Sequence, residues 1–139
     1  MTRPDISVLV GTTLRSVTSE PHSWHFVLSD GSSVRCECPW RLVAEARIAV
    51  TSEDHDQRFG LTQGVDAATR ALTSIGARAI SDARIATETG DLIIHFGTST
   101  RVEVIVDSCG YESWHLTLAD GRTLIATGGG DIAQSRGAV

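Results

Sequence analysis

The feature that most constrains the fold is an alternation of apolar and polar residues that occurs twice along the chain. In residues 23–38 and again in 91–106, every second position on each side of a turn is apolar. Because successive side chains of a strand point to opposite faces, each segment is predicted to be an antiparallel hairpin with one buried face. The residues expected in the core are Trp24, Phe26, Leu28, Val34, Cys36 and Cys38 from the first segment, and Leu92, Ile94, Phe96, Val102, Val104 and Val106 from the second.

The similarity extends beyond the two hairpins and indicates an internal repeat. PWRL (39–42) follows the first hairpin, and SWHL (113–116) follows the second. Upstream, LVGTTL (9–14) resembles SIGARAI (74–80), each a glycine between short apolar runs. Fixed-order similarity of this kind is typical of duplicated units. We therefore expect one domain over residues 1–139, with pseudo-repeats at about 6–50 and 72–126.

A single helix is predicted between the repeats, over about residues 65–75. Val65, Ala68, Leu72 and Ile75 are spaced by three or four residues, and alanine-rich composition favours a helix. Gly76 stands where a helix C-cap glycine is expected.

The last hairpin is predicted to turn at Asp120 and Gly121, a strong two-residue turn signal. After it, the segment TGGGDIAQSRGAV loses periodicity, so the tail is expected to be loose or only partly strand. The predicted fold class is α+β, with two pseudo-repeated antiparallel meanders joined by one helix. The alternative is an all-β barrel or sandwich with one outer helix.

Charge and composition narrow the classes of partner. The formal net charge is −5, and the twelve basic residues are all arginines, no two adjacent. A nucleic-acid-binding protein normally carries a basic patch, so neither nucleic acid nor membrane is expected as a partner, whereas an acidic surplus suits a basic protein. No signal peptide or membrane-spanning run is readable, so we expect a cytoplasmic protein. Three cysteines without metal-ligand spacing predict neither a disulfide framework nor zinc.

Two short segments supply candidate contact residues. In GYESWHL (110–116), the tryptophan alternates with leucines and is predicted to be buried, as is its counterpart Trp40, which leaves Tyr111 and Glu112 as candidate partner contacts. In EDHD (53–56), three carboxylates lie within four residues; they form either a solvated loop or an acidic contact patch, through Glu53, Asp54 and Asp56.

A third candidate depends on strand register. If the second hairpin pairs His95 with Glu103, and the next strand pairs Glu103 with His115, the three side chains form a row on the outer sheet face. Such a row can bind a divalent metal or perform acid–base chemistry, and it is also typical of a solvated face. Glu103 is in addition a candidate partner contact. The first repeat offers only His25 opposite Glu37.

Catalytic motifs are absent from the sequence. There is no G-x-S-x-G elbow and no recognisable cysteine signature, and GGGD (128–131) lacks the helix that a phosphate loop needs. The glycines are better explained by backbone passing close to another element. No catalytic residue, enzymatic activity or cofactor is therefore predicted.

The phrases PWRL, GDLIIHF, GYESWHL and GGGDIA together resemble small proteins of unknown function that are common in actinobacteria, some of which look like immunity proteins of polymorphic toxin systems. The resemblance covers about residues 8–133. It implies a non-enzymatic protein-binding protein of the toxin-inhibitor kind, and it carries no catalytic residues over to this chain.

The leading hypothesis is accordingly a protein that binds another protein, such as a basic toxin domain, and occludes its active site. The alternative is a small-ligand or metal-binding module that uses the row of His95, Glu103 and His115. A third hypothesis is a homodimer formed through an exposed sheet edge.

Overall fold

The computed structural model describes residues 2–136. One α-helix and two single-turn 3-10 helices accompany eleven strands in this part of the chain. The helices are α1 (Ala67–Ile75) and the 3-10 turns Ser7–Leu9 and Ser52–Asp54. The strands are β1 (Leu14–Glu20), β2 (Ser23–Leu28), β3 (Ser33–Cys36), β4 (Trp40–Ala44), β5 (Arg47–Thr51), β6 (Ile80–Ile85), β7 (Leu92–Phe96), β8 (Thr100–Val104), β9 (Trp114–Thr117), β10 (Arg122–Gly128) and β11 (Asp131–Arg136).

The strands form two antiparallel sheets. The six-stranded sheet has the order β1-β2-β3-β9-β10-β11, and the five-stranded sheet has the order β5-β4-β8-β7-β6. The predicted fold, with two repeated antiparallel meanders joined by one helix, is confirmed. The content is mostly β.

The two halves of the chain exchange their second hairpins. The meander β1-β2-β3 is completed by β9 and β10 from the second half, and the matching meander β6-β7-β8 is completed by β4 and β5 from the first half. Equivalent rows of cross-strand partners occur in the two sheets. One sheet has the row Trp24–Cys36–Trp114, and the other has the equivalent row Leu92–Val104–Trp40. Each half therefore depends on the other to complete its sheet.

The alternating apolar residues form one core between the sheets, as predicted. Trp40 and Trp114 are both fully buried, at 0% exposure. The indole of Trp40 meets the rings of Trp24 and Phe26 edge-on, at centroid distances of 5.2 and 5.3 Å. Aromatic pairs prefer this geometry because the positive ring edge faces the negative ring face.

Helix α1 covers the core at its β1 and β5 side. It buries Ala67, Ala71 and Ile75. The Asp66 carboxylate accepts a hydrogen bond from the Thr69 backbone N–H at 3.1 Å, and this bond holds the pKa of Asp66 below its usual range. The predicted C-cap, Gly76, has a φ of 62° and is confirmed. No helix in residues 2–136 combines the length and apolar character needed to cross a membrane.

The tail is more ordered than the lost periodicity indicated. Residues Asp131–Arg136 pair with β10 as the edge strand β11, although most of its side chains are exposed. The strand is held mainly by backbone pairing, and Ile132 is its one apolar side chain packed against the core, so its sequence carries no buried alternation to detect. Residues 137–139 lie outside the described part of the chain.

Candidate binding surface at the crossover end

One end of the molecule collects both segments that cross between the sheets. The first crossing (37–39) joins β3 to β4, and the second (105–113) joins β8 to β9. They bond to each other: Glu37 N–H donates to Ser113 O, and Ile105 N–H donates to Pro39 O, both at 2.8 Å. The exchange of hairpins therefore brings together two segments that are about seventy residues apart in sequence.

Turns from the rest of the chain surround the crossings. We call this surface the acidic end and define it as residues 20–23, 37–39, 52–54, 86–91, 105–113 and 128–131. The turn at 128–131 is joined to the second crossing by a 2.8 Å hydrogen bond from Gly129 N–H to Ser108 O. At Gly130, an added Cβ would lie 2.3 Å from Glu88 O, so only glycine permits this approach.

The acidic end contains carboxylates and no arginine. Its acidic residues are Glu20, Glu37, Glu53, Asp54, Glu88, Asp91, Asp107, Glu112 and Asp131. Two arginines reach it from outside: Arg35 pairs with Glu20 at 3.1 Å, and Arg3 donates to the carbonyls of Ala86 and Thr87. The negative charge is therefore largely uncompensated within this surface.

Several of these carboxylates have structural partners. Asp54 accepts from Thr51 N–H at 2.9 Å, Asp91 accepts from Val106 N–H at 2.9 Å, and Glu112 lies 3.2 Å from His115 Nε2. The others make no hydrogen bond or ion pair with the residues that the structure describes. They are Glu37, Glu53, Glu88, Asp107 and Asp131.

Two open grooves lie side by side on this surface, and Glu37 and Asp107 line both of them. The first groove continues over Glu20, His22 and Glu53. The second continues over Ser108, Gly110, Tyr111 and Glu112. Glu37 and Asp107 are thus central to the surface, although the sequence named Glu37 only as a partner of His25 and did not select Asp107.

The rim of the second groove presents an aromatic side chain. Tyr111 is 81% exposed. Its backbone is nevertheless held, because the Ser108 hydroxyl accepts from the N–H groups of Gly110 and Tyr111 at 3.2 and 2.9 Å. Such a hydroxyl-centred turn presents the ring on an ordered loop.

The two buried thiols that line the first groove, Cys36 and Cys38, are not activated. Burial, followed by the charges of Asp107, Asp91 and Glu37, raises the pKa of Cys38 to about 12. Burial likewise raises the pKa of Cys36, with the neighbouring Cys38 as the second cause. Since the thiolate is the nucleophile and metal ligand, these cysteines stay protonated and unreactive at neutral pH.

The three carboxylates of the segment 53–56 have different surroundings. Glu53 lines the first groove, whereas Asp54 caps the 3-10 turn Ser52–Asp54 through a capping box with Thr51. Asp56 is exposed, lies 3.8 Å from His55 Nε2 and lines neither groove. Of the predicted contact residues, the structure brings Glu53, Asp54, Tyr111 and Glu112 to the acidic end, where Asp54 is already engaged as a cap.

Glu103 lies elsewhere, on the outer face of the five-stranded sheet. Its carboxylate accepts from Arg41 Nε and, at 2.9 Å, from Arg101 Nε. Burial raises the pKa of Glu103, but the bonds from the two guanidinium groups outweigh it and leave the pKa below its usual range. The carboxylate is occupied within the chain.

The predicted row of His95, Glu103 and His115 is wrong. His95 pairs with Arg101, and His115 belongs to the six-stranded sheet, opposite Arg35 and Ile125. After β8 the chain crosses to the other sheet, so β9 never lies beside β8. Within residues 2–136, no three His, Cys, Asp or Glu side chains are grouped to hold a metal.

The predicted pair of His25 and Glu37 is wrong as well, because His25 faces Arg35. In both hairpins, the residue that faces a given position of the first strand lies two residues earlier in the sequence than predicted. A two-residue slip keeps every side chain on its own face, so the core assignments stand while the polar pairs change.

Most carboxylates of the acidic end could not be selected from the sequence. They are spread from residue 20 to residue 131, one or two at a time. The available signal is that each lies in or beside a turn at one end of the strands, where arginine is missing.

Residues 5–136 match the model of a family of unknown function (DUF6188). The match includes every strand, both crossings and all carboxylates of the acidic end. Neither a curated protein nor a solved structure shows significant similarity to the chain.

Proposed function

The chain belongs to the family of unknown function DUF6188, and from that premise we propose that it acts by binding another protein, whose basic surface docks on the acidic end. The observation that carries the proposal is that three carboxylates lining the two grooves, those of Glu37, Glu53 and Asp107, have no partner among residues 2–136. Like charges held close together destabilise a folded chain through mutual repulsion, and a basic partner relieves that repulsion when it binds.

Glu37 and Asp107 are the central residues of the proposed interface. Both are exposed, both line the two grooves, and neither makes a side-chain hydrogen bond with the described residues. Electrostatic complementarity of this kind mainly sets the association rate and the specificity.

Tyr111 is the proposed anchor at the rim. Tyrosine is enriched at protein interfaces because it combines a large apolar ring with a polar tip at low conformational cost. The turn around Ser108 reduces that cost further, since the loop backbone is already ordered before a partner arrives.

The finer proposal is that the partner is a basic toxin domain and that the chain is its immunity protein. It is supported by the resemblance of PWRL, GDLIIHF, GYESWHL and GGGDIA to small proteins of unknown function, some of which look like immunity proteins, and by the sign of the charge at the acidic end. The mechanism is steric and electrostatic occlusion of the toxin's active site. No residue of this chain performs chemistry in it.

The test is affinity capture from a lysate of the source organism with matched charge variants. The interface variant carries Glu37→Lys with Asp107→Lys. The control carries Glu45→Lys with Asp82→Lys, two exposed carboxylates outside the acidic end that also make no side-chain hydrogen bond. Both variants change the net charge equally. Asp54 is avoided because its carboxylate caps a turn.

We expect the unmodified chain and the control to retain the same basic protein in stoichiometric amount, and the interface variant to lose it. Equal retention by both variants would overturn the acidic end as the binding surface. Recovery of the chain alone, with a doubled mass in light scattering, would replace the proposal with self-association.

A further inference from the structure

The outer face of the five-stranded sheet holds two guanidinium groups on one carboxylate. Glu103 Oε1 accepts from Arg41 Nε, and Glu103 Oε2 accepts from Arg101 Nε at 2.9 Å. Arg41 is the direct cross-strand partner of Glu103, and Arg101 precedes Glu103 by two residues on the same face of β8. Each carboxylate oxygen therefore fixes one arginine through its Nε alone.

The terminal nitrogens of both arginines remain available. Neither Arg41 nor Arg101 uses Nη1 or Nη2 in a hydrogen bond with the described residues. The two side chains are 43% and 40% exposed, whereas Glu103 is only 15% exposed. The Glu103 carboxylate thus lies beneath the two guanidinium groups, whose unpaired N–H groups are at the protein surface.

Among residues 2–136, Glu103 is the only carboxylate within ion-pairing distance of the two arginines. The other cross-strand neighbour of Arg41 is Thr51, whose backbone N–H donates to the Asp54 carboxylate. β4 and β8 are inner strands of the sheet, so the backbone under the arginines is fixed on both sides. The cross-strand neighbours of Arg101 are Val43 and His95, and Asp82 is separated from Arg101 by the His95 strand. At a strand spacing of roughly 4.8 Å, Asp82 is about 10 Å away.

We propose that Arg41 and Arg101 form a binding site for an oxyanion, a phosphate or carboxylate group, and that Glu103 is the positioning residue of the site. The guanidinium fork matches two oxygens of such a group, and a pair already held in place loses less side-chain entropy on binding. Two arginines against one glutamate leave the cluster with one net positive charge. This site is separate from the acidic end.

The experiment titrates the folded chain with sodium phosphate and follows the Nε–H signals of its arginines by NMR. Sodium chloride at matched ionic strength controls for screening, and sodium acetate distinguishes a carboxylate from a phosphate. We expect the Arg41 and Arg101 signals to shift saturably with phosphate and not with chloride. Saturable shifts with acetate as well would show that the site binds carboxylates and phosphates alike. Saturable shifts with phosphate alone would show that it selects phosphate.

The decisive variant is Glu103→Gln, because charge and positioning predict opposite results for it. Removing a negative charge alone would tighten anion binding, whereas releasing the two arginines should weaken it, by about five-fold. Arg84→Gln, an arginine of the same face next to Ile93, removes one positive charge outside the pair. It should change the affinity by less than about two-fold.

Amide spectra establish that each variant is folded. If Glu103→Gln does not fold, Arg41→Gln and Arg101→Gln carry the test, and each should abolish saturation. Linear shifts that chloride reproduces would overturn the site. Tighter or equal binding by folded Glu103→Gln would overturn the positioning role.

Discussion

At the scale of single residues, the same side-chain type has opposite roles according to its neighbours. Glu103 and Glu37 both lie in or beside a strand after an apolar residue, and the sequence offered Glu103 as the partner contact. In the structure the Glu103 carboxylate binds two arginines, whereas the Glu37 carboxylate has no partner in the part of the chain that the structure describes. Cross-strand neighbours decide this difference, and they depend on register, which the sequence predicted two residues away from the true one.

The two buried tryptophans allow a matched prediction, because the duplication places them in equivalent positions. Trp114 Nε1 donates to Gly90 O at 2.9 Å, whereas the buried Trp40 Nε1 has no partner among the described residues. Trp114→Phe should therefore destabilise the chain more than Trp40→Phe, by about 1–2 kcal/mol, since it leaves the Gly90 carbonyl unsatisfied. Urea unfolding of both variants measures the difference.

The change in side-chain volume is identical in the two substitutions, so each controls for the other. An equal loss of stability, or a larger loss for Trp40→Phe, would mean that the bond to Gly90 contributes nothing measurable.

At the scale of elements, alternation predicts which face of a strand is buried but not which strand lies beside it. The core positions of β2, β3, β7 and β8 follow from their period of two and are confirmed. The exchange of β4–β5 with β9–β10 leaves that period unchanged, so the sequence could not reveal it. Helix α1 was predictable because spacing, composition and the Gly76 cap all agree.

The turn at 128–131 provides a prediction at this scale. Gly130→Ala should cost about 2–4 kcal/mol, because its φ is 97° and the new Cβ would meet Glu88 O at 2.3 Å. Gly110→Ala is the matched control, since a Cβ there has no neighbour within 4 Å and should change stability by less than about 0.5 kcal/mol. Thermal and urea unfolding compare the two variants.

Similar stabilities for the two alanine variants would show that the backbone of the turn shifts at little cost to make room for the new Cβ. In that event the glycines would not be required for the close approach of the 86–91 and 128–131 turns.

At the scale of the whole molecule, the acidic end is a consequence of topology. No segment of the sequence contains it: its carboxylates come from six turns and crossings that meet because the halves exchange hairpins. The net charge of −5 predicted the sign of a partner, and Glu53, Tyr111 and Glu112 were recognisable from local composition. The central pair, Glu37 and Asp107, required the fold, because they are seventy residues apart.

Hydrogen exchange of the chain, alone and with its captured partner, locates the binding surface. If the partner docks on the acidic end, exchange slows in peptides that contain the crossings 37–39 and 105–113 and is unchanged across 93–103 on the five-stranded sheet. Protection confined to that sheet or to α1, with both crossings unaffected, would contradict the claim that the acidic end is the binding surface.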